Sequence, residues 1–223
     1  LFMICACFAQ FQRARVVDRN DLPLRVQRVA GHVFLVTDFN FRRTQALFYA
    51  HPEGILFFDT TWQAKTAEQL IWKAAAYSLE DYVGVIVTGP QLERTAGLSA
   101  FRSHEIPIYM QTKAPQILAG NWNREIQEMQ QTFSSFQEAI FIRPDFTVQR
   151  TASLLSERVT LLEPEESQKD GHLLAFFREE RLLYTGGLEL PVQERSKLID
   201  ALRPQIIIEA GRVEKIKRAA RVL

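Results

Sequence analysis

Ile55-Leu56-Phe57-Phe58 is an unbroken apolar run closed by Asp59, and Tyr82 to Val87 is a second stretch of nearly the same kind. Short apolar runs without alternation predict strands covered on both faces. Between them, Ala64 to Ser78 sets Leu70, Ile71, Ala74 and Ala75 along one side at helical spacing, which predicts an amphipathic helix. Upstream, Leu24 to Val36 divides into two β-rich pieces around Ala30-Gly31, and a third follows at Gln45 to Ala50. Pro52-Glu53-Gly54 has the composition of a turn. Downstream, a helix is predicted over Ala96 to Arg102 and a short strand over Ile106 to Met110. Two further helices, Lys113 to Ala119 and Arg124 to Gln131, flank a polar link. Strands are then predicted at Ala139 to Ile142, Ser153 to Leu155, Val159 to Leu162 and Leu173 to Phe177. Glu179-Glu180 turns the chain into another, Arg181 to Thr185. Glu194 to Leu202 reads as a helix, Gln205 to Glu209 as a strand after Pro204, and Val213 onward as a final helix. Each half of this order is a sheet with helices on one outer side. Two such halves face to face give an α/β fold in four layers, an αββα sandwich.

Composition changes this picture little. The chain has 223 residues, 47% hydrophobic and 24% charged, which suits a folded domain and argues against disorder. Its formal net charge of +1 gives no basic surplus for a polyanion. The basic groups at Arg13 and Arg15 and from Arg212 to Arg221 read as solvated surface. Both cysteines, Cys5 and Cys7, lie in the first seven residues, too few for a disulfide framework or a structural zinc site. Leu1 to Ala9 is apolar, uncharged and too short to span a bilayer. It looks like the tail of a secretory leader with a cut at Ala9–Gln10, or like a lipoprotein signal with a lipid-anchored Cys7. An apolar N-terminal strand is the other reading. Residues 1–23 are therefore expected to be a leader or extension, with the protein exported (periplasmic or lipid-anchored) or otherwise cytoplasmic, and residues 24–223 a single domain.

Several consecutive segments resemble the metallo-β-lactamase superfamily. Val29 to Thr37 and Gln45 to Tyr49 resemble its opening strands, and Gly54 to Trp62 its buried strand ending in Asp-Thr. Val85 to Thr88 leads into Gly89-Pro90-Gln91-Leu92-Glu93-Arg94-Thr95-Ala96-Gly97, where the family carries Thr-His-x-His-x-Asp and a following Gly. Ile106 to Tyr109 resembles the short strand after that loop. Leu182 to Gly187 resembles the strand that delivers a bridging Asp or Cys, and Gln205 to Gly211 the last strand with its Gly-His-Gly. The resemblance implies the αββα fold and, in an active member, a zinc-bound hydroxide that hydrolyses the substrate.

Mapped onto this chain, the family's ligand positions are Gly89, Gln91, Glu93, Gln168, Gly187 and Ala210. Glycine and alanine offer no donor and an amide oxygen is a poor one for zinc; Glu93 alone keeps a carboxylate. The four histidines, His32, His51, His104 and His172, form no His-x-His pair, and only His172 lies near the mapped pocket. Asp59 is expected to hydrogen-bond loop backbone, as in the family, and Glu93 to pair with Arg94 or another cation. No serine sits in a Gly-x-Ser-x-Gly elbow, and no Gly-x-x-x-x-Gly-Lys loop occurs. The reading is a non-catalytic relative: no zinc or other cofactor, and a pocket lined by Gly, Gln and Glu that holds a small polar ligand or supports a protein partner. The alternative is a hydrolase with a displaced metal set of Glu93, His172 and Asp59. Nucleic-acid binding through the basic C-terminal segment is the remaining option.

Overall fold

The computed structural model describes residues 24–137, 139–165, 171–209 and 212–216. The segment expected to be a leader, including Cys5 and Cys7, lies outside the described residues. Among those described, no helix is long and apolar enough to cross a membrane.

Strands β1 (Arg25–Ala30), β2 (Val33–Asp38), β3 (Thr44–His51) and β4 (Gly54–Phe58) form an antiparallel meander. β5 (Tyr82–Val87), β6 (Ile108–Gln111) and β7 (Phe146–Val148) extend the sheet in parallel with β4, in the order β1-β2-β3-β4-β5-β6-β7. The parallel crossovers carry helices α1 (Ala64–Ala75), α2 (Leu92–Thr95), α3 (Leu98–Ser103) and α4 (Ala114–Thr132). The second sheet comprises β8 (Thr151–Leu154), β9 (Val159–Leu162), β10 (Leu174–Phe177), β11 (Leu182–Tyr184), β12 (Ile206–Glu209) and β13 (Arg212–Lys215). It is ordered β13-β12-β11-β10-β9-β8, and helix α5 (Val192–Leu202) makes the parallel crossover from β11 to β12.

The unbroken apolar runs are explained by burial on both faces. In β2, Phe34 and Val36 face the helices while Val33 and Leu35 face the second sheet. β4 divides the same way, Ile55 and Phe57 outward and Leu56 and Phe58 inward. From the second sheet, Phe177, Leu182, Tyr184 and Ile208 meet this inner layer. Leu174, Phe176, Leu183 and Ile207 point the other way, under α5. Three apolar layers separate four structural ones, and the chain is an αββα sandwich. Each such side chain taken fully from water stabilises the fold by roughly 1.5–3 kcal/mol.

Several local expectations are corrected. The two helices on either side of the polar link are one, α4, because Leu118, Trp122, Ile126 and Met129 share its buried side. The helix expected over Ala96 to Arg102 is α3, which begins after Gly97, and a separate short helix, α2, precedes it. Residues 139–142 form no strand; Phe141 packs edge-on against Trp122, and the edge strand is β7, three residues long and unforeseen. Val213 starts no helix: β13 pairs Arg212 with Glu209 through Lys215 with Ile206, covering the edge of β12.

Candidate functional site

The parallel strands of both sheets end at one edge of the sandwich. In parallel sheets the carboxyl ends are where loops gather functional side chains. β4 delivers Asp59, whose φ of 61° turns the chain sharply out of the strand, and β5 delivers Thr88. Asp59 Oδ1 accepts from the Thr88 backbone N–H at 2.7 Å, so it does hydrogen-bond loop backbone. The Thr88 hydroxyl lies 2.8 and 2.6 Å from the two carboxylate oxygens and accepts from Arg94 Nη1 at 2.7 Å. Tyr184, at the end of β11, donates its hydroxyl to Asp59 Oδ2 at 3.1 Å and ties the second sheet to the first. All four residues are buried. Burial pushes the Asp59 carboxyl up, and the Arg94 charge is the main force opposing it. Tyr184 is held well above its ordinary value by burial and by the charge of Asp59.

The loop after Thr88 carries Gly89, Gln91 and Glu93. Gln91 Nε2 lies 3.0 Å from His172 Nε2. The two side chains share a hydrogen bond across the loop. Gln91 Oε1 is buried without a hydrogen-bond partner. These two side chains close over Gly89: a Cβ there would lie 2.4 Å from Gln91 Oε1 and 2.7 Å from His172 Cδ2. The volume that a side chain at position 89 would need is already filled.

Glu93 lines two cavities at this edge. One, of about 320 Å³, is lined by Arg42, Trp62, Arg124 and Glu128 among others. The second, of about 350 Å³, lies between Arg43, Arg94, Arg212 and the Gly186-Gly187 turn, with Tyr184 at its wall. Both glycines have left-handed backbone, φ 60° and 82°. A Cβ on Gly186 would sit 1.8 Å from Thr88 Oγ1, and one on Gly187 would sit 2.9 Å from Arg94 Nη2. Side chains are excluded from this turn by both contact and conformation.

The structure thus brings Asp59, Arg94 and Gly187 to one cluster, and Gly89, Gln91 and His172 to another beside it. Gln168 and Ala210 lie outside the described residues. Of the cations expected for Glu93, Arg94 does not pair with it and turns inward to Thr88 instead. The alternative metal set is not assembled either: Asp59 is committed to Thr88 and Tyr184, and His172 to Gln91. Among the described residues, no three His, Cys, Asp or Glu side chains are grouped to hold a metal ion. The described donors at this edge do not form the set that the family resemblance implies for zinc. Thr88, Tyr184, Arg43 and Arg212 were not foreseen at the site. The signal for Tyr184 was its place at the end of a strand already singled out; Arg43 and Arg212 carried none beyond their charge.

No protein-family model and no curated protein sequence matches the chain. Solved structures do. The chain is similar to the DIM-1 metallo-β-lactamase at 16% identity and a TM-score of 0.69, over 87% of this chain and 92% of that one. A metallo-β-lactamase from Pontibacter korlensis gives 13% identity and a TM-score of 0.68, covering 86% and 93% of the two chains. One from Hirschia baltica gives 12% and 0.67, covering 87% and 93%. The chain has the metallo-β-lactamase fold.

Proposed function

We propose that this protein is a non-catalytic member of its fold class, a pseudoenzyme that binds a small polar ligand at the loop edge where its structural neighbours are named as β-lactamases. The observation that carries this reading is the closed Gly89–Gln91–His172 cluster. Zinc chemistry at that loop needs donors converging on one point with a position open for water. Here the loop offers a glycine, an amide hydrogen-bonded to the nearby histidine, and a single carboxylate, Glu93, which lines the cavities. Protein docking is the other use such an edge serves, but the open cavity favours a small molecule.

Elemental analysis of the purified chain by mass spectrometry tests the proposal, after dialysis and again after supply of Zn²⁺ or Mn²⁺. The expected result is no stoichiometric metal in either sample. About one metal per chain would sink the reading and call for a panel of hydrolase substrates, with Glu93→Ala as the control.

A further inference from the structure

The cavity of about 350 Å³ between the Gly186-Gly187 turn and the loop after β5 has a marked charge imbalance. Three guanidinium groups, Arg43, Arg94 and Arg212, line it against one carboxylate, Glu93. They come from three different segments: the link before β3, helix α2 and the edge strand β13. Among the described residues, no carboxylate forms an ion pair with any of the three. Arg94 is the decisive member because it is 6% exposed, so most of its hydration is gone. Its Nη1 is used on Thr88 Oγ1, while its Nη2 faces the Gly187 backbone across the wall. The bare turn keeps that face open, since a Cβ on Gly187 would collide with Nη2. Nη2 opens on the cavity, where the oxygen of a bound anion can reach it. Asp59 offsets part of that charge from behind, but its oxygens are taken by Thr88 and Tyr184.

We infer that this cavity binds a small molecule bearing a carboxylate or phosphate group, gripped by Arg94 at the floor and by Arg43 and Arg212 at the rim. This rests on the reading of the protein as a ligand-binding pseudoenzyme, and names the chemistry of the ligand. A guanidinium fork matches either oxyanion in geometry and charge. The volume lies at the small end of ligand pockets, which suits a metabolite-sized anion.

Titration calorimetry of the full chain at low ionic strength tests this, with succinate and inorganic phosphate as probes and glycerol as the neutral control. One or both anions are expected to bind and glycerol is not; which anion wins assigns the group. Arg43 and Arg212 are exposed, so a double variant, Arg43→Gln with Arg212→Gln, should fold as the parent does. It is expected to weaken anion binding at least ~tenfold, as for the loss of charged hydrogen bonds. Absence of heat with either anion up to about 10 mM, the weak limit of useful affinity, overturns the inference. So does binding that the double variant leaves unchanged. Repeating the titration with the neutral chelator 1,10-phenanthroline separates the two proposals. Binding that persists supports the arginine site. Binding that disappears places the anion on a metal, and overturns this assignment and the pseudoenzyme reading together. A silent titration of metal-free protein overturns this assignment alone.

Discussion

Asp59 uses both carboxylate oxygens as acceptors inside the protein, for the Thr88 N–H, the Thr88 hydroxyl and the Tyr184 hydroxyl. With Arg94 beside it, this is a buried charge cluster holding the ends of β4, β5 and β11 together. Removing one member of such a cluster leaves the others desolvated and unpaired, at a cost of ~3–5 kcal/mol. Asp59→Ala is therefore expected to lower the unfolding free energy by about that amount, read from the urea midpoint. Asp59→Asn keeps an acceptor for the Thr88 N–H and sets a donor toward Tyr184, whose hydroxyl can turn to accept. It is expected to cost less than half as much. A loss below ~1 kcal/mol in Asp59→Ala, the scale of an exposed pair, would show that the cluster is not structural. Asp59 was legible in the sequence because its strand and the following Thr60 are contiguous. The Gln91–His172 contact was not, since 81 positions separate the two residues and neither sits in a patterned run.

Elements buried on two faces were easy to read, and those at edges were not. β4 and β5 announce themselves by unbroken apolar runs, and β5 was placed to the residue. β13 is exposed throughout and carries no such pattern, so only its pairing with β12 makes it a strand. α4 was split in two because Gly120 and its polar neighbours look like a link, yet they are only the exposed side of a continuous helix. That difference between glycines can be measured. Gly120 lies within α4, and a Cβ there would meet no atom within 4 Å. Gly120→Ala is expected to stabilise the protein by ~0.5–1 kcal/mol, the helix-propensity difference. Gly186 has φ 60° and its Cβ would overlap Thr88 Oγ1. Gly186→Ala is expected to destabilise by ~2 kcal/mol or more, since strain and displacement of a buried hydroxyl add. Thermal melts of the two variants should move in opposite directions. Equal shifts would mean that the Gly186-Gly187 turn is not the rigid wall described.

Across the whole molecule, the sandwich separates two polar ends. β3 runs from Thr44, at the cavity, to His51 at the far edge, where the β3–β4 and β10–β11 turns meet. The layers between them were legible from burial, whereas the cationic cavity was not, because its arginines converge only once both sheets have formed. At the far end His51 is buried, accepts from the Glu53 N–H at Nδ1 over 3.2 Å, and has Nε2 3.8 Å from Glu179. Its rings of contact are Tyr49, stacked at 5.5 Å, and His32, edge-on at 5.1 Å, with Arg158 bonded to Glu53 nearby. Burial first, then the Arg158 and His32 charges, lower the His51 pKa against the pull of Glu179 and Glu53. The neutral ring is therefore favoured in the native state, whereas the unfolded chain takes up a proton near its ordinary value of 6.5. The unfolded state binds more protons in the window below that value, so stability falls there as pH falls. The contribution is complete above the unfolded value and is lost as pH drops through the native one. Urea unfolding should accordingly show a decline in stability on acidification from about pH 7 to about pH 5, the range in which histidine titrates. His51→Gln keeps an acceptor for the Glu53 N–H and removes the proton site, so its decline should be shallower than the parent's. Parallel curves for the two proteins would assign the pH response to other groups, and the cavity at the opposite end would then be the first place to look.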